Sequence, residues 1–145
     1  MAGKDRNWVH GADVNVEWPN RLANTAAGDH EPLRQGFGTT VRQNGSHNWF
    51  HFAVPTPQSE LEDAMLWAEV NPEATVDKVH IRVGTELHEE LTGSDDGFPF
   101  ENENIDRKWN IRDKNIEGPV CLCVHANFKQ GGQIRFVGGG AQFDR

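Results

Sequence analysis

Apolar residues at every second position constrain this chain more than any other feature of its sequence. Residues 14–18 (V-N-V-E-W) alternate in this way, and Pro19 ends the run. The same period continues over residues 75–83, where Val79 and Ile81 alternate with charged or polar residues. Period two is the spacing of side chains on one face of a strand. The chain is therefore predicted to be all-β.

Glycine and proline punctuate the alternating segments, with 15 glycines and seven prolines along the chain. Asn44-Gly45 stands between residues 39–42 and residues 48–54. Asn-Gly favours a tight hairpin because both residues tolerate a positive φ. These two strands are therefore predicted to pair. Residues 59–70 carry a helix-capping pattern at their start, yet the alternation from Ala64 to Val70 favours a strand.

The C-terminal region predicts two more strands. Residues 119–128 form the first, and residues 133–137 form the second after a Gly-Gly turn. The glycine triplet at 138–140 is expected to end the second strand, because glycine weakens strand interiors. Roughly seven to nine short strands with regular turns predict a jelly-roll-like antiparallel β-sandwich, one domain over residues 1–145. The alternative is a small closed β-barrel with an interior cavity.

Charge limits the classes of partner. The chain carries 14 Lys and Arg against 22 Asp and Glu, a formal net charge of -8. An acidic protein of this kind is not expected to bind nucleic acid or anionic membranes, which both require a basic face. The polar N-terminal segment lacks the apolar stretch of a signal peptide, so a cytoplasmic location is expected. The sequence does not indicate which oligomeric state the protein adopts.

Side-chain parity, the alternation of side chains between the two faces of a strand, predicts that several histidines point outwards. If Phe50 and Phe52 face the core, Trp49 and His51 face outwards, and the same argument turns one histidine outwards on each of two further strands. Neighbouring strands lie about 4.8 Å apart, so these side chains could share one face. Tryptophan would offer a flat apolar surface and the polar groups directed hydrogen bonds, as small-molecule or glycan sites do. The predicted ligand-binding residues are Trp8, His10, Trp49, His80, His125 and Asn127.

A second hypothesis is a cofactor-independent enzyme, such as a lyase, isomerase or cyclase, that holds an apolar substrate within the β fold. His51 would act as the base, since histidine titrates near neutral pH. Arg82 would stabilise a developing anion. No standard catalytic motif accompanies these residues, so a lectin-like binder is the favoured function.

Cysteine and histidine also alternate in Cys121-x-Cys123-x-His125. Residues two apart on a strand have side chains about 6–7 Å apart, which disfavours a disulfide between the cysteines. The outer two ligands would lie about 13 Å apart, too far for one ion. A site formed by three histidines on neighbouring strands is geometrically easier, but ligand identity without geometry is weak support for a metal. Neither a metal nor any other cofactor is therefore predicted.

Several segments resemble one family of small, mainly microbial β-sandwich proteins known only as a domain of unknown function. These segments are Trp8-Val9-His10-Gly11, the N-W-F-H-F-x-x-P-T-P stretch at 48–57, Val79-His80-Ile81, and residues 134–138 with Ala141 and Phe143. The resemblance covers most of the chain. It implies a β fold and a stand-alone domain, and it supplies no activity.

Overall fold

A computed structural model describes residues 3–144, which form twelve strands and three short 3₁₀ turns in two antiparallel sheets. Sheet A contains β1 (Lys4–His10), β3 (Leu33–Gln35), β4 (Gly38–Gln43), β6 (Glu60–Val70), β10 (Asn104–Asn110) and β12 (Gly132–Asp144). Sheet B contains β2 (Asn15–Val16), β5 (His47–Val54), β7 (Ala74–Val83), β8 (Glu86–Leu91), β9 (Phe100–Glu101) and β11 (Val120–Phe128). The 3₁₀ turns are Gly11–Asp13, Pro19–Arg21 and Ser94–Asp96.

The strand order places β12 and β11 inside their sheets. Sheet A runs β10-β6-β12-β4-β3, and β1 pairs with β12 beyond the end of β4. Sheet B runs β2-β5-β11-β7-β8, and β9 pairs with β7. The three strands predicted to carry outward histidines, β5, β11 and β7, are therefore direct neighbours.

Large apolar side chains fill the space between the sheets. Phe50 and Phe52 of β5 pack against Phe136 of β12, with ring centroids 4.7 and 6.0 Å apart. All three rings are fully buried, which stabilises the fold by about 1.5–3 kcal/mol for each phenylalanine. Across residues 3–144 the two sheets stay separate, so the closed barrel is wrong and the jelly-roll-like sandwich is confirmed.

The predicted Asn44-Gly45 hairpin is wrong. A turn does form there, but β4 before it belongs to sheet A and β5 after it belongs to sheet B. Each strand buries one apolar face, represented by Val41 on β4 and Phe50 on β5. Placing the strands in opposite sheets directs both faces into one core, and this burial outweighs the local preference for pairing.

The glycine triplet does not end the last strand. β12 is 13 residues long in total, and it pairs with both β1 and β6 through Gly138, Gly139 and Gly140. A Cβ atom at Gly139 would lie 2.7 Å from the Phe52 ring, so only glycine fits against the core there. The strand predicted over residues 64–70 is confirmed, and it begins earlier, at Glu60, so the helix-capping pattern before it produces no helical turn. Between residues 3 and 144, no helix has the length and apolar character needed to cross a membrane.

Candidate functional site

Three adjacent strands of sheet B form an outer surface, here called the histidine face, that carries Trp49, His51, His80 and His125. β11 lies at its centre, and Cys123 is directly opposite His51 of β5 and His80 of β7. In the next row His125 lies opposite Trp49 and Lys78. Outward parity on three neighbouring strands therefore produces the clustering that the sequence predicted.

Aromatic rings on the histidine face contact one another around Trp49. The centroid of the Trp49 ring lies 4.8 Å from that of His80 and 4.7 Å from that of His125. The His51 ring is nearly parallel to Trp49, with centroids 6.4 Å apart. The Lys78 ammonium lies 5.8 Å from the centre of the indole, within cation–π range. Trp49 therefore forms the apolar centre of this surface.

Each of the three histidines has a carboxylate partner, which the sequence analysis did not identify. The pairs are Glu17–His51 at 2.8 Å, Glu90–His80 at 2.7 Å and Asp77–His125 at 2.6 Å. The carboxylates come from the edges of the face and from a register irregularity in β7. Alternation misses Asp77 because the irregularity in β7 breaks period two, and it misses the pairing of Glu17 and Glu90 with histidines because it does not give strand order.

His125 is the most enclosed of the three histidines, with 8% of its surface exposed. Its Nδ1 faces Asp77, and its Nε2 lies 2.9 Å from Nδ1 of His47. Both ring nitrogens are thus engaged within the protein. The predicted Asn127 follows on the same strand, is exposed, and lies opposite His47 and Thr75. His125 consequently supports the surface, whereas His51 is the most exposed of the three histidines.

The two cysteines lie closer together than strand spacing predicts. Their Sγ atoms are 3.7 Å apart, so the expected separation of about 6–7 Å is wrong for the side chains, which lean towards each other. The hydrogen bond from Cys123, supported by His51, lowers the pKa of Cys121 to about 5 despite partial burial. The interaction with Cys121, together with burial, raises the pKa of Cys123. The hydrogen bond to Cys121 likewise raises the pKa of His51 above its usual value.

A groove of about 420 Å³ opens along the histidine face. His51 and Arg82, the predicted catalytic pair, both line it, and the Arg82 guanidinium donates to the Thr85 carbonyl at 3.2 Å. The groove is on the outside of the sandwich. The space between the sheets, where an apolar substrate was expected, is filled by core side chains, so that placement is wrong.

Trp8 and His10 are not part of the histidine face. They lie on β1, at the outer surface of sheet A on the opposite side of the sandwich. His10 accepts a hydrogen bond from the Ala12 amide at 3.0 Å and caps a 3₁₀ turn. The expectation that these residues join the other histidines is therefore wrong, because β1 pairs with β12 and not with a strand of sheet B.

Trp8 shares the outer face of sheet A with a second exposed tryptophan on β6. Trp67 projects from β6 on the same outer face, and Gly138 of β12 lies between Trp67 and His10 in the strand register. A Cβ atom on Gly138 would lie 3.3 Å from the Trp8 ring, so the indole leans over this glycine. Trp8 and Trp67 are 45% and 49% exposed. We call Trp8, Trp67, Gly138 and Gly140 the tryptophan platform.

Polar groups surround the tryptophan platform. A depression of about 230 Å³ beside Trp8 is lined by Arg6, Met65, Asp106, Arg107 and Lys108. A further exposed aromatic ring, Phe37, stands over the same sheet, with its centroid 5.1 Å from the Arg135 guanidinium carbon of β12. Three of the four large exposed apolar side chains among residues 3–144 thus belong to this side of the sandwich.

A further depression, of about 690 Å³, lies away from both outer sheet faces. Its lining includes Val54, Pro57, Ile116 and Pro119, and it holds no cluster of titratable groups among the described residues. The other side chains that line it are polar (Thr56, Gln58, Ser59 and Glu117), but the lining includes one ionisable group and no aromatic or histidine ring for a ligand to contact. The two outer sheet faces are therefore the candidate sites.

No protein-family model matches the chain, and no curated protein sequence matches it. Among solved structures, a variant of the family 29 carbohydrate-binding module CBM29-2 is similar over 99% of this chain and 92% of its own, with 8% identity and a TM-score of 0.50. The structure of TmCBM61 in complex with a β-galactotriose is similar over 99% of this chain and 88% of its own, with 13% identity and a TM-score of 0.48. The likeness to CBM29-2 shows a common β-sandwich fold.

Proposed function

We propose that this protein binds carbohydrate through the tryptophan platform of sheet A. One observation carries the proposal: Trp8 and Trp67 are each about half exposed on one sheet face, with glycines between them. Exposed tryptophans at neighbouring positions are unusual on a soluble surface unless they meet a partner. The likeness of the fold to a carbohydrate-binding module supports a glycan as that partner.

The chemistry of the platform suits a sugar chain. The apolar C–H face of a pyranose ring packs on an indole, and its hydroxyl groups need donors and acceptors at the rim. Arg6, Lys108 and Asp106 beside Trp8 supply both. From the strand spacing, the Cα atoms of Trp8 and Trp67 are about 12 Å apart, so a chain of several sugars can contact both rings.

Affinity electrophoresis against cellulose derivatives, mannan and galactan tests this function. We expect retardation by at least one of these β-linked polymers, and a loss of about tenfold or more in affinity for Trp8→Ala and for Trp67→Ala. Leu87→Ala is the matched control, because Leu87 is equally exposed but lies on β8 of sheet B. Lack of binding to all polymers, or equal binding by all variants, would refute the proposal.

The histidine face is a second candidate binding surface for a small molecule or a single sugar. Its groove of about 420 Å³, lined by Trp49, His80 and Arg82, favours this candidate. Titration with monosaccharides, followed by tryptophan fluorescence, tests it with Arg82→Ala as the variant. A fluorescence change that Arg82→Ala abolishes supports the groove, and one that only the Trp8 variant abolishes excludes it. The catalytic roles of His51 and Arg82 stay predictions.

A further inference from the structure

Cys121, Cys123 and His51 form a compact cluster of metal-ligand atoms on the histidine face. One ligand atom from each residue lies within 4.8 Å of the other two, and neither cysteine is in a disulfide. In tetrahedral coordination, two sulfurs at about 2.3 Å from zinc are about 3.8 Å apart. The observed Sγ–Sγ distance of 3.7 Å therefore matches the sulfur–sulfur distance of a tetrahedral zinc site.

The strand register produces this geometry. Cys121 and Cys123 project from the same side of β11, and His51 of β5 lies directly opposite Cys123. The third ligand therefore comes from the neighbouring strand and not from His125 farther along β11. This overcomes the separation of about 13 Å that excluded a metal when only one strand was considered.

Glu17 orients the histidine of the cluster. Its carboxylate holds Nε2 of His51 at 2.8 Å, so Nδ1 is the ring nitrogen that can form a ligand bond on the side of the cysteines. Metal-binding histidines usually have their other nitrogen held by a carboxylate, because this fixes the ring and increases its basicity. The contact of Glu17 with His51 was not evident from the sequence, because alternation over residues 14–18 does not show that β2 pairs with β5.

The surrounding charges suit a divalent cation. Two thiolates neutralise its charge, and the Arg82 cation beside Cys121 is balanced by the Glu17 anion. His80 lies on the far side of Cys123, and its nitrogens fall outside the group of mutually close ligand atoms, so three protein ligands leave the fourth coordination position to the groove that they line. Two sulfurs and one imidazole favour zinc over magnesium or calcium, which prefer oxygen ligands.

We propose that Cys121, Cys123 and His51 bind one zinc ion, with the fourth coordination position open to the groove of the histidine face. This site is separate from the tryptophan platform and lies on the opposite side of the sandwich. Loss of carbohydrate binding and loss of metal binding are therefore distinguishable, because each is measured with its own ligand and its own variants.

Cobalt titration of the full chain tests the site. The protein is reduced, freed of metal and kept anaerobic, and both thiols are counted before Co²⁺ is added. We expect saturation at one equivalent, with thiolate-to-cobalt charge-transfer absorption and the intense visible bands of tetrahedral cobalt, all lost when Zn²⁺ is added. Fully reduced protein that shows no charge-transfer band would overturn the proposal.

Variants assign the ligands. Cys121→Ser should remove about half of the charge-transfer intensity, because one of two sulfurs is lost, and His51→Gln should weaken cobalt binding while keeping both sulfurs. Glu17→Gln should lower affinity about tenfold, the effect of disturbing an outer partner. His10→Gln, on sheet A, is the control and should bind as the unchanged protein does. Equal spectra for the unchanged protein and a folded Cys121→Ser variant would also overturn the proposal, and circular dichroism verifies the fold of each variant.

Discussion

Nδ1 of His125 lies 2.6 Å from Oδ1 of Asp77, and this pair supports the centre of the histidine face. His125 is buried, and its other ring nitrogen faces His47, so the ring has little access to water. A buried polar group that loses its partner costs about 1–3 kcal/mol. The pair therefore makes a specific contribution to stability that can be measured.

Replacing Asp77 should expose that contribution. We expect Asp77→Ala to lower the free energy of unfolding at pH 7 by about 1–3 kcal/mol, because His125 loses its acceptor. Urea denaturation measures the loss. Asp106→Ala is the control, since Asp106 is an exposed aspartate on β10 and should change stability by less than about 0.5 kcal/mol. Equal effects of the two substitutions would contradict the role of the pair.

The effect of Asp77 should depend on pH. Burial disfavours the charged carboxylate, but the hydrogen bond and charge of His125 outweigh burial, so the pKa of Asp77 is below its usual value. A carboxyl group whose pKa is lowered by folding contributes stability at pH values above its unfolded pKa of about 4. That contribution is lost as the pH falls through the pKa of the folded state. The cost of Asp77→Ala should therefore shrink below about pH 4. A cost that grows with acidification would contradict this sign.

Cys121 should react faster than Cys123 with iodoacetamide in the metal-free, reduced protein. The pKa of about 5 keeps Cys121 as a thiolate at neutral pH, whereas the pKa of Cys123 is raised and its side chain is buried. The alkylation rate at Cys121 should be nearly constant between about pH 6 and pH 8. An ordinary thiol, in contrast, reacts faster with each pH unit over this range. Peptide mass spectrometry identifies the modified residue. Preferential modification of Cys123 would refute the assignment.

Gly139, the middle residue of the glycine triplet in β12, should tolerate no side chain. A Cβ atom at Gly139 would lie 2.7 Å from the Phe52 ring in the core, so Gly139→Ala should destabilise the protein by about 1–3 kcal/mol through overpacking. Gly36→Ala is the control, because no atom lies within 4 Å of the added carbon. Thermal denaturation compares the two. Equal melting temperatures would show that the core accommodates the methyl group.

Affinity for oligosaccharides should increase with their length. A short sugar can contact one indole of the tryptophan platform, whereas a longer chain can contact both Trp8 and Trp67, whose Cα atoms are about 12 Å apart. Calorimetry with a series of oligosaccharides from the bound polymer measures this dependence. In Trp67→Ala the advantage of the longer chains should disappear. An advantage that persists in this variant would place the sugar elsewhere.

Side-chain parity predicted the histidine face because β5, β7 and β11 are regular over the relevant residues. His51, His80 and His125 each alternate with core residues, and one face of a strand is fixed once the other is buried. Parity does not give strand order. Trp8 and His10 were therefore grouped with the wrong sheet, although their outward direction on β1 is as alternation requires.

The outward direction of Trp67 on β6 was predictable from the sequence. The alternation from Ala64 to Val70 places Leu66, Ala68 and Val70 on one face of β6 and Met65 and Trp67 on the other. The same argument that found Trp49 would have found Trp67. Its partnership with Trp8 could not be predicted, because it depends on β12 continuing through three glycines and pairing with β1 and β6 at once. Local propensity disfavours such a strand, and long-range burial decides it.

The position of β12 also affects how the chain must fold. This strand lies between β1 and β6, so segments from near residue 4 and near residue 60 remain without their shared neighbour until residues 132–144 have been synthesised. Such non-local pairing slows folding and leaves unsatisfied strand edges on the nascent chain. Assembly of sheet A is consequently coupled to the emergence of β12, because β1 and β6 expose unpaired edges until this strand lies between them.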